Sequence, residues 1–233
     1  MTGPARGNER KAFVRDVFGS IVRRYDAAND VISLGLHRLW RRKTVRLLGL
    51  KEGRLLDLGA GTGSLAKVAF KRGHQGPAVL CDFSWPMLQE SRRQISAVNA
   101  SFVCGDGEEL PFKREAFQGI LLGFSLRNMP EIPAALREIR RVLSSQGRVA
   151  ILEMSRPARF LEPIYNCYLK FIMPLLGGWV TGAKRSYEHL RDSTLAFPDR
   201  ETLSRMMLAA GLKEVRYHSL LGGVAAIHVG EGG

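Results

Sequence analysis

Cysteine is scarce in this 233-residue chain, and Cys81, Cys104 and Cys167 form no CxxC pair. An odd number of widely spaced cysteines argues against a disulfide scaffold and a zinc site, and favours a reducing cytosol. The five histidines show no HExxH or similar ligand spacing. We therefore expect a cytoplasmic protein without a metal.

Long apolar runs are also missing. The most lipid-like stretch, 160–182, is interrupted by Glu162, Lys170 and the pair Gly177–Gly178. A spanning helix needs about 20 predominantly apolar residues. The start, "MTGPARGNERKAF", has no apolar core of a signal peptide. We expect neither a transmembrane helix nor a signal peptide.

Acidic residues are in deficit, with 22 against 35 basic ones and a net charge of +13. Such a surplus suits nucleic acid or an anionic membrane face, although a generally basic proteome would produce it too. Because the chain has no RNA-binding signature of the RNP type, we expect peripheral contact with an anionic membrane, on the inner face of the cytoplasmic membrane, and no nucleic-acid partner.

The order of patterns along the chain indicates the fold. The pattern of residues 8–48 predicts a basic helical segment. Arg38, Arg42 and Arg46 fall on one stripe of it, which is typical of a solvent-exposed helix face. Short apolar runs then alternate with helical patterns, which predicts βαβ units on a parallel sheet. The strands are expected at 54–59, 77–83, 101–106, 119–124 and 147–154, and the helices at 64–72, 85–97 and 132–143.

The rhythm changes at Pro157, where a helical insertion runs to about 190. A helix at 199–210 follows, and then two strands joined through Gly222–Gly223, a hairpin signal. We predict one Rossmann-like α/β domain whose mostly parallel seven-stranded sheet ends in an antiparallel hairpin and carries helices on both faces. Residues 1–48 form a basic helical cap or lid, and 49–233 form the domain.

The stretch "RLLDLGAGTGS", 54–64, ends a predicted strand in closely spaced glycines. Gly59, Gly61 and Gly63 can adopt positive φ. Because glycine has no Cβ, a ligand can approach the backbone closely at these positions. Dinucleotide sites require G-x-G-x-x-G, but Ser64 occupies the last position of that pattern here. The loop is therefore a weaker match to a pyrophosphate-bearing dinucleotide.

Two acidic residues end the next two predicted strands. Asp82, 20 residues after Thr62, stands where a carboxylate accepts hydrogen bonds from ribose hydroxyls. Asp106 could accept a hydrogen bond from an adenine amino group. Glycine and aspartate are also common turn residues, so three ordinary turns are the alternative. The combination favours a ribose-bearing cofactor without a pyrophosphate.

Motifs beyond the loop carry a family resemblance. The chain resembles the class I S-adenosylmethionine-dependent methyltransferases, and within them the quinone-biosynthesis C-methyltransferases of the menaquinone/ubiquinone type, from about Phe18 to Gly230. The class is carried by "LDLGAGTG". The family is carried by "RYDAANDVISLGLHRLWRR" (24–42), "LPF" (110–112), "LRN" (126–128), "REIRRVL" (137–143), "FPDRETL" (197–203) and "LGGVAAIHVG" (221–230).

The resemblance implies S-adenosyl-L-methionine as the cofactor. The family usually reads S-F-G-L-R-N near the fourth strand, whereas this chain reads "GFSLRN", so Gly123 stands at the usual serine and Ser125 at the usual glycine. The usual serine contacts the cofactor, so after this exchange Gly123 can make that contact only through its backbone. The implied cofactor residues are Asp57, Gly59, Gly61, Thr62, Gly63, Asp82, Asp106, Gly107, Gly123 and Ser125.

The implied reaction transfers a methyl group to a ring carbon of a polyprenylated benzoquinol or naphthoquinol. The protein must align the reactants and favour the phenolate. Arg127 could stabilise that charge and Asn128 could bond a ring oxygen; otherwise Arg127 forms a structural ion pair and Asn128 caps a turn. Tyr25, Asp26 and His37 are candidate base or lid residues, with an exposed helix position as the alternative for His37.

The apolar stripe at 160–176 is either plain core or a wall for the prenyl tail that touches the membrane surface. A homodimer or a biosynthetic complex is compatible with this reading. Two other functions stay open at this stage: methylation of another small molecule or of RNA, and a cofactor-binding scaffold without turnover.

Overall fold

A computed structural model describes the chain at residues 22, 29–31, 33–96, 99–157, 159–168 and 191–233. The candidate residues Tyr25 and Asp26 lie outside the described residues, as does the predicted stripe beyond Tyr168. Residues 29–31 and 191–196 are helical. No helix in the described ranges is long and apolar enough to cross a bilayer.

Helices and strands alternate through the first half of the chain, as the sequence predicts. The helices are α1 (Leu36–Leu48), α2 (Ser64–Lys71), α3 (Trp85–Gln94), α4 (Ile132–Val142), α5 (Glu162–Cys167) and α6 (Arg200–Ala209). The strands are β1 (Leu55–Leu58), β2 (Ala78–Asp82), β3 (Ala100–Cys104), β4 (Phe117–Gly123), β5 (Leu143–Met154), β6 (Lys213–Leu220) and β7 (Ala225–Glu231).

The strands form one seven-stranded sheet in the order β3–β2–β1–β4–β5–β7–β6. The pairs from β3 through β5 are parallel, while β7 pairs antiparallel with both β5 and β6. Gly222 and Gly223, both at positive φ, turn the chain between β6 and β7. The predicted fold class and the C-terminal hairpin are therefore confirmed.

Side-chain alternation along β1 places helices on both faces of the sheet. Leu56 and Leu58 pack with α4 and α6 in one buried cluster. Leu55 packs on the opposite face, in a cluster that includes α1 and α2. Because Asp57 shares the face of Leu55, its carboxylate points toward α2.

Some boundaries differ from the prediction. Strand β3 ends at Cys104, so Asp106 lies beyond it, in an isolated bridge with Glu109. Strand β5 begins at Leu143 rather than 147, since Leu143 already pairs with Phe117 before a register shift. The predicted helix at 85–97 ends at Gln94.

Candidate active site

A cleft opens at the carboxyl ends of β1, β2 and β4, where open α/β sheets bind ligands. The chain runs outward from β1 to β3 and then crosses to β4 on the other side of β1, so the strand order reverses between β1 and β4. The cleft is lined by Leu58, Gly59, Gly61, Asp82, Phe83, Met87, Gly105, Asp106, Gly107, Gly123, Phe124, Ser125, Asn128, Met129 and Pro130.

The glycine loop shapes one side of this cleft. Gly59 and Gly61 have φ of 64° and 53°, in the left-handed region that favours glycine. A Cβ on Gly59 would lie 2.3 Å from the Cβ of Ser125, whereas a Cβ on Gly61 would meet nothing within 4 Å. Gly59 therefore permits close packing of the β4 loop, while Gly61 leaves open space.

This difference predicts a matched pair of substitutions. Gly59→Ala adds a clash to the left-handed strain, and overpacking of this kind costs about 1–3 kcal/mol. Gly61→Ala carries only the left-handed strain, about 1–2 kcal/mol. Thermal denaturation should therefore show the larger loss of stability for Gly59→Ala. Equal losses would show that Ser125 moves aside freely.

Asp82, at the end of β2, faces the cleft. Its Oδ2 accepts a hydrogen bond from the N–H of Gly61 at 2.8 Å, and its Oδ1 accepts one from the N–H of Ser84 at 2.8 Å. Burial raises the pKa of this carboxyl, and the two N–H groups oppose that rise. The carboxylate is thus held in one orientation and ties the glycine loop to β2.

Asp106 and Gly107 line the far end of the cleft. Asp106 Oδ1 accepts a hydrogen bond from the N–H of Glu108 at 2.9 Å. A Cβ on Gly107 would lie 2.6 Å from Cε of Met129. Met129 is therefore able to form part of the cleft wall because residue 107 is glycine.

Three predicted cofactor residues lie behind the lining. Asp57 is 1% exposed, and its Oδ2 accepts the N–H of Ala66 in the first turn of α2 at 2.9 Å, which stabilises the helix start. Burial raises its pKa to about 7. Thr62 is buried with its hydroxyl 3.2 Å from that of Ser64, and Gly63 packs against Ser91. Their direct contact with a cofactor stays a prediction.

The exchanged pair Gly123 and Ser125 both line the cleft. Ser125 Oγ donates to the carbonyl of Leu58 at 3.2 Å, so the serine links the end of β1 to the loop after β4. A Cβ on Gly123 would lie 2.7 Å from Leu65 Cδ1. In this chain the serine hydroxyl of the segment after β4 therefore belongs to residue 125 and lies next to Gly59.

A second, larger cavity of about 480 Å³ adjoins the cleft across Phe124. We call it the apolar cavity. Its apolar walls come from α1, the end of β5, α5 and the turn between β6 and β7. They include Leu34, Leu36, Trp40, Met154, Leu161, Ile164, Leu221 and Val224, and the polar lining includes Asn29, Ser33, His37, Arg127, Tyr165, Tyr168 and Thr194.

Arg127 lines the apolar cavity from the short 3₁₀ turn Leu126–Asn128. Its Nη1 lies 2.5 Å from Oε1 of Glu153, and its backbone N–H donates to Oε2 at 3.2 Å. The exposed fractions of the two side chains are 5% and 1%. The structural ion pair that the sequence offered as the alternative is therefore present, and Arg127 also faces the cavity, while its catalytic role stays a prediction.

Asn128 does not line the apolar cavity with Arg127. It lines the cleft at the ends of β1, β2 and β4, and its Nδ2 donates to the carbonyl of Phe124 at 3.4 Å. The two neighbours point to different sides because the 3₁₀ turn rotates successive side chains. A bond from Asn128 to a ring oxygen stays a prediction.

His37 is 4% exposed, so the reading of an exposed helix residue is wrong. Its Nδ1 lies 2.6 Å from Ser33 Oγ, which in turn donates to the carbonyl of Asn29 at 2.6 Å. Its Nε2 lies 3.6 Å from Asp30 Oδ1. Asp30 also pairs with the exposed Arg38. His37 thus has a carboxylate beside one ring nitrogen.

Three residues at this site escaped the sequence analysis. Phe124 lies between the cleft and the apolar cavity at a φ of 59°, rare for an aromatic residue, with its ring tilted against Trp40 at 6.4 Å. Glu153 lies within β5, and no local motif marked it as a site residue. Tyr165 was taken as part of an apolar stripe, yet its buried hydroxyl has no hydrogen-bond partner in the described part of the chain.

The cleft fits S-adenosylmethionine: Asp82 would accept from the ribose hydroxyls, and Gly61 leaves open space beside it. Fold and cleft together define a class I S-adenosylmethionine-dependent methyltransferase. A methyltransferase of this kind from Thermotoga maritima has a TM-score of 0.67 at 21% identity, covering 93% of this chain and 98% of that one. One from Aquifex aeolicus has a TM-score of 0.63 at 16% identity, covering 91% and 97%.

Sequence comparison identifies the family. Residues 5–231 match the ubiE/COQ5 methyltransferase family, and the chain belongs to it. The ubiquinone/menaquinone biosynthesis C-methyltransferase of Idiomarina loihiensis is 40% identical over 230 residues, 96% of this chain and 92% of that protein. The one from Ectopseudomonas mendocina is 42% identical over 224 residues, 93% and 88%. The protein is therefore an S-adenosylmethionine-dependent C-methyltransferase.

Proposed function

We propose that this enzyme methylates a ring carbon of a polyprenylated quinol, demethylmenaquinol or 2-polyprenyl-6-methoxy-benzoquinol, in quinone biosynthesis. The observation that carries the proposal is the apolar cavity beside the cofactor cleft, with Arg127 and His37 in its lining. An apolar cavity with a few polar groups suits an aromatic ring that bears a hydrocarbon tail and hydroxyls.

The cofactor and the residues around the cavity have different roles in the proposed reaction. S-adenosylmethionine, when bound, supplies a methyl group activated by the positive charge on sulfur. Loss of the proton from a ring hydroxyl makes the neighbouring ring carbon nucleophilic, and Arg127 stabilises the oxygen charge that develops. When the methyl group moves to the ring carbon, its bond to sulfur breaks and S-adenosylhomocysteine remains. The ring carbon then loses its own proton to solvent, the ring oxygen regains a proton from the base that took it, and the ring becomes aromatic again. Phe124 lines both compartments and positions the ring where they meet.

His37 is the proposed acceptor of the hydroxyl proton. Ser33 Oγ donates its proton to the carbonyl of Asn29, so it can only accept a hydrogen bond from His37. This assigns the N–H of the imidazole to Nδ1. Nε2 then carries the lone pair, and the nearby carboxylate of Asp30 stabilises a proton that arrives there. We propose that the described end of the predicted cap, residues 33–48, covers the cavity, since it supplies Leu36, His37 and Trp40 to the lining. Most of the predicted cap, at 1–48, lies outside the described residues.

The mouth of the cavity supports contact with a membrane. Its volume of about 480 Å³ falls in the range of a drug-sized site, roughly 300–1,000 Å³. A long polyprenyl tail therefore extends beyond it. Leu34, Ile164 and Leu221 line the cavity and are 83%, 70% and 58% exposed. We call these three residues the mouth patch, and propose that it enters the surface of an anionic bilayer.

Vesicle binding tests this proposal. We expect stronger co-sedimentation with vesicles that contain phosphatidylglycerol than with pure phosphatidylcholine, and weaker binding as salt rises, because the net charge is +13. Replacing the three mouth-patch residues with glutamine should weaken binding tenfold or more, since burial of each apolar side chain contributes on the order of 2 kcal/mol.

The matched control replaces Leu195 and Leu208, which are 50% and 51% exposed and do not line the cavity. Those variants should bind as the wild type does. If both sets weaken binding equally, the contact is general surface adhesion. If neither vesicle binds the wild type, the mouth patch serves only the tail.

Methyl transfer itself is tested with purified protein, methyl-labelled S-adenosylmethionine and either short-chain quinol under a reductant. Label in a quinone product supports the proposal, and the faster substrate identifies the ring. Label only in RNA or in a soluble metabolite from an extract would point to another acceptor. No label with any acceptor would leave a scaffold that binds the cofactor without turnover.

A further inference from the structure

The two basic side chains that line the apolar cavity within the described residues each have a carboxylate beside them. Arg127 is paired with Glu153, and His37 lies beside Asp30. Neither carboxylate lines the cavity. Glu153 is the more strictly held of the two, since it is 1% exposed while the Asp30 side chain is 29% exposed.

Glu153 lies one residue before the end of β5, and its hydrogen bonds leave little freedom. Oε1 accepts from Arg127 Nη1 at 2.5 Å and from the N–H of Met154 at 3.0 Å, and Oε2 accepts from the N–H of Arg127 at 3.2 Å. The carboxylate thus grips the side chain and the backbone of the same arginine. A glutamine amide would turn one of these acceptors into a donor facing another N–H.

We propose that Glu153 is a positioning residue that holds the Arg127 guanidinium at the cavity wall and limits the positive charge that the substrate's ring hydroxyl experiences. The inference rests on the proposed function and deepens it. Glu153 does not touch the substrate, because Arg127 lies between it and the cavity. It acts on the reaction only through Arg127.

The charge balance explains why such a pair suits this site. A lone guanidinium in an apolar cavity would be poorly solvated and costly to bury. With Glu153 beside it, the pair is neutral, so a neutral quinol enters a neutral cavity. The guanidinium remains the nearer charge to the substrate, so it still favours a phenolate. Removing the negative charge alone should make that preference stronger while loosening the geometry.

The other titratable side chains that line the cavity, within the described residues, are a histidine and two tyrosines. His37, with Asp30 and Arg38 behind it, comes from α1 and the residues just before it. Tyr165 and Tyr168 come from α5 and its end, and burial raises the pKa of both, although the Arg127 charge opposes this for Tyr165. Both tyrosines therefore stay protonated at a pH where an unperturbed phenol, with a pKa of about 10, begins to ionise.

The experiment uses 4-methoxy-1-naphthol, a phenol whose ultraviolet spectrum reports its ionisation, bound to the full chain with S-adenosylhomocysteine. Glu153→Gln should lower the pKa of the bound naphthol by about one unit, because one negative charge nearby is gone. It should also lower kcat for methyl transfer to a short-chain quinol at least tenfold, with KM nearly unchanged. Glu153→Asp keeps the charge and should lower kcat without lowering the naphthol pKa.

Glu138→Gln is the matched control. Glu138 pairs with Arg141 on α4 and accepts the N–H of Leu110, away from the cavity. It should change neither the naphthol pKa nor kcat. An unchanged or raised naphthol pKa in Glu153→Gln would overturn the charge role, and unchanged kcat in both Glu153 variants would overturn the positioning role.

Two further outcomes are separable. If Glu153→Gln does not fold, Glu153→Asp decides alone: reduced kcat with normal KM supports positioning, and wild-type kcat rejects it. If the wild type methylates no quinol, the proposed function fails. The naphthol titration then still shows whether Glu153 offsets the positive charge that Arg127 presents to the cavity.

Discussion

Replacing Arg127 with methionine is expected to lower kcat and kcat/KM together by about 10²–10³-fold, the usual effect of losing one preorganised donor. In the proposed mechanism Arg127 stabilises a charge that grows toward the transition state, so its loss should act on the chemical step rather than on substrate binding. Affinity for S-adenosylmethionine should stay nearly unchanged, because Arg127 does not line the cofactor cleft. Arg127→Lys should recover only part of the rate, since it keeps the charge and loses the planar fork.

The structure adds a second consequence. Arg127→Met leaves Glu153 buried without its partner, and breaking a buried pair costs about 3–5 kcal/mol of stability. The double variant Arg127→Met/Glu153→Gln should regain much of that stability without regaining turnover. Raising the pH should recover part of the lost rate, because the phenol then ionises in solution. The matched control is Arg141→Met, which breaks the pair with Glu138 away from the cavity and should leave turnover normal.

A rise in KM alone after Arg127→Met would make Arg127 a substrate anchor. A lower melting temperature with normal turnover would make it a structural partner of Glu153 and nothing more. Steady-state kinetics with the quinol, together with thermal denaturation of the same samples, distinguish these outcomes from the expected one.

Asp82→Ala should weaken S-adenosylmethionine binding tenfold or more. Hydrogen bonds to a charged group contribute about 1.5–3 kcal/mol, and a tenfold change in affinity corresponds to about 1.4 kcal/mol. Two effects combine here, since the ribose acceptor is lost and the N–H of Gly61 loses the oxygen that orients the glycine loop. Asp82→Asn keeps one oxygen and should show a smaller loss. Calorimetry with S-adenosylmethionine measures both.

Asp199→Ala is the matched control for Asp82. Asp199 also accepts a backbone N–H, that of Thr202 at 2.7 Å, but it caps α6 rather than lining the cleft. Its loss should cost about 1 kcal/mol of stability, as for other N-caps, and leave cofactor affinity unchanged. If Asp82→Ala binds as tightly as Asp199→Ala, then Asp82 only shapes the loop and makes no contact with the ribose.

Local rules were sufficient for most of the fold. Apolar runs of strand length, separated by helical patterns, predicted the parallel part of the sheet, and Gly222–Gly223 predicted the hairpin. Boundaries were less certain, because a strand continues for as long as a neighbour offers pairing groups. Strand β5 begins early for that reason, since Leu143 finds its partner Phe117 across the sheet.

Site residues separate in the same way. Gly59, Gly61 and Asp82 were predicted from the sequence because a strand end followed by glycine or aspartate is a local pattern, and the strand order brings all three to the lining of one cleft. Glu153 and Tyr165 have no such pattern. The role of a glutamate in a strand, or of a tyrosine in an apolar stripe, depends on the groups that it contacts in the folded chain.

The amino-acid sequence by itself determined the fold class, the glycine loop and the family, because propensity, periodicity and motif spacing are properties of neighbouring residues. Tertiary structure alone decided which side chains share a compartment. It buried His37, placed Arg127 and Asn128 in different compartments, and set Glu153 behind Arg127 across 26 positions of chain. The physical reason is that burial and ion pairing depend on the distance in space between groups, which the folded sheet sets and the order of residues does not.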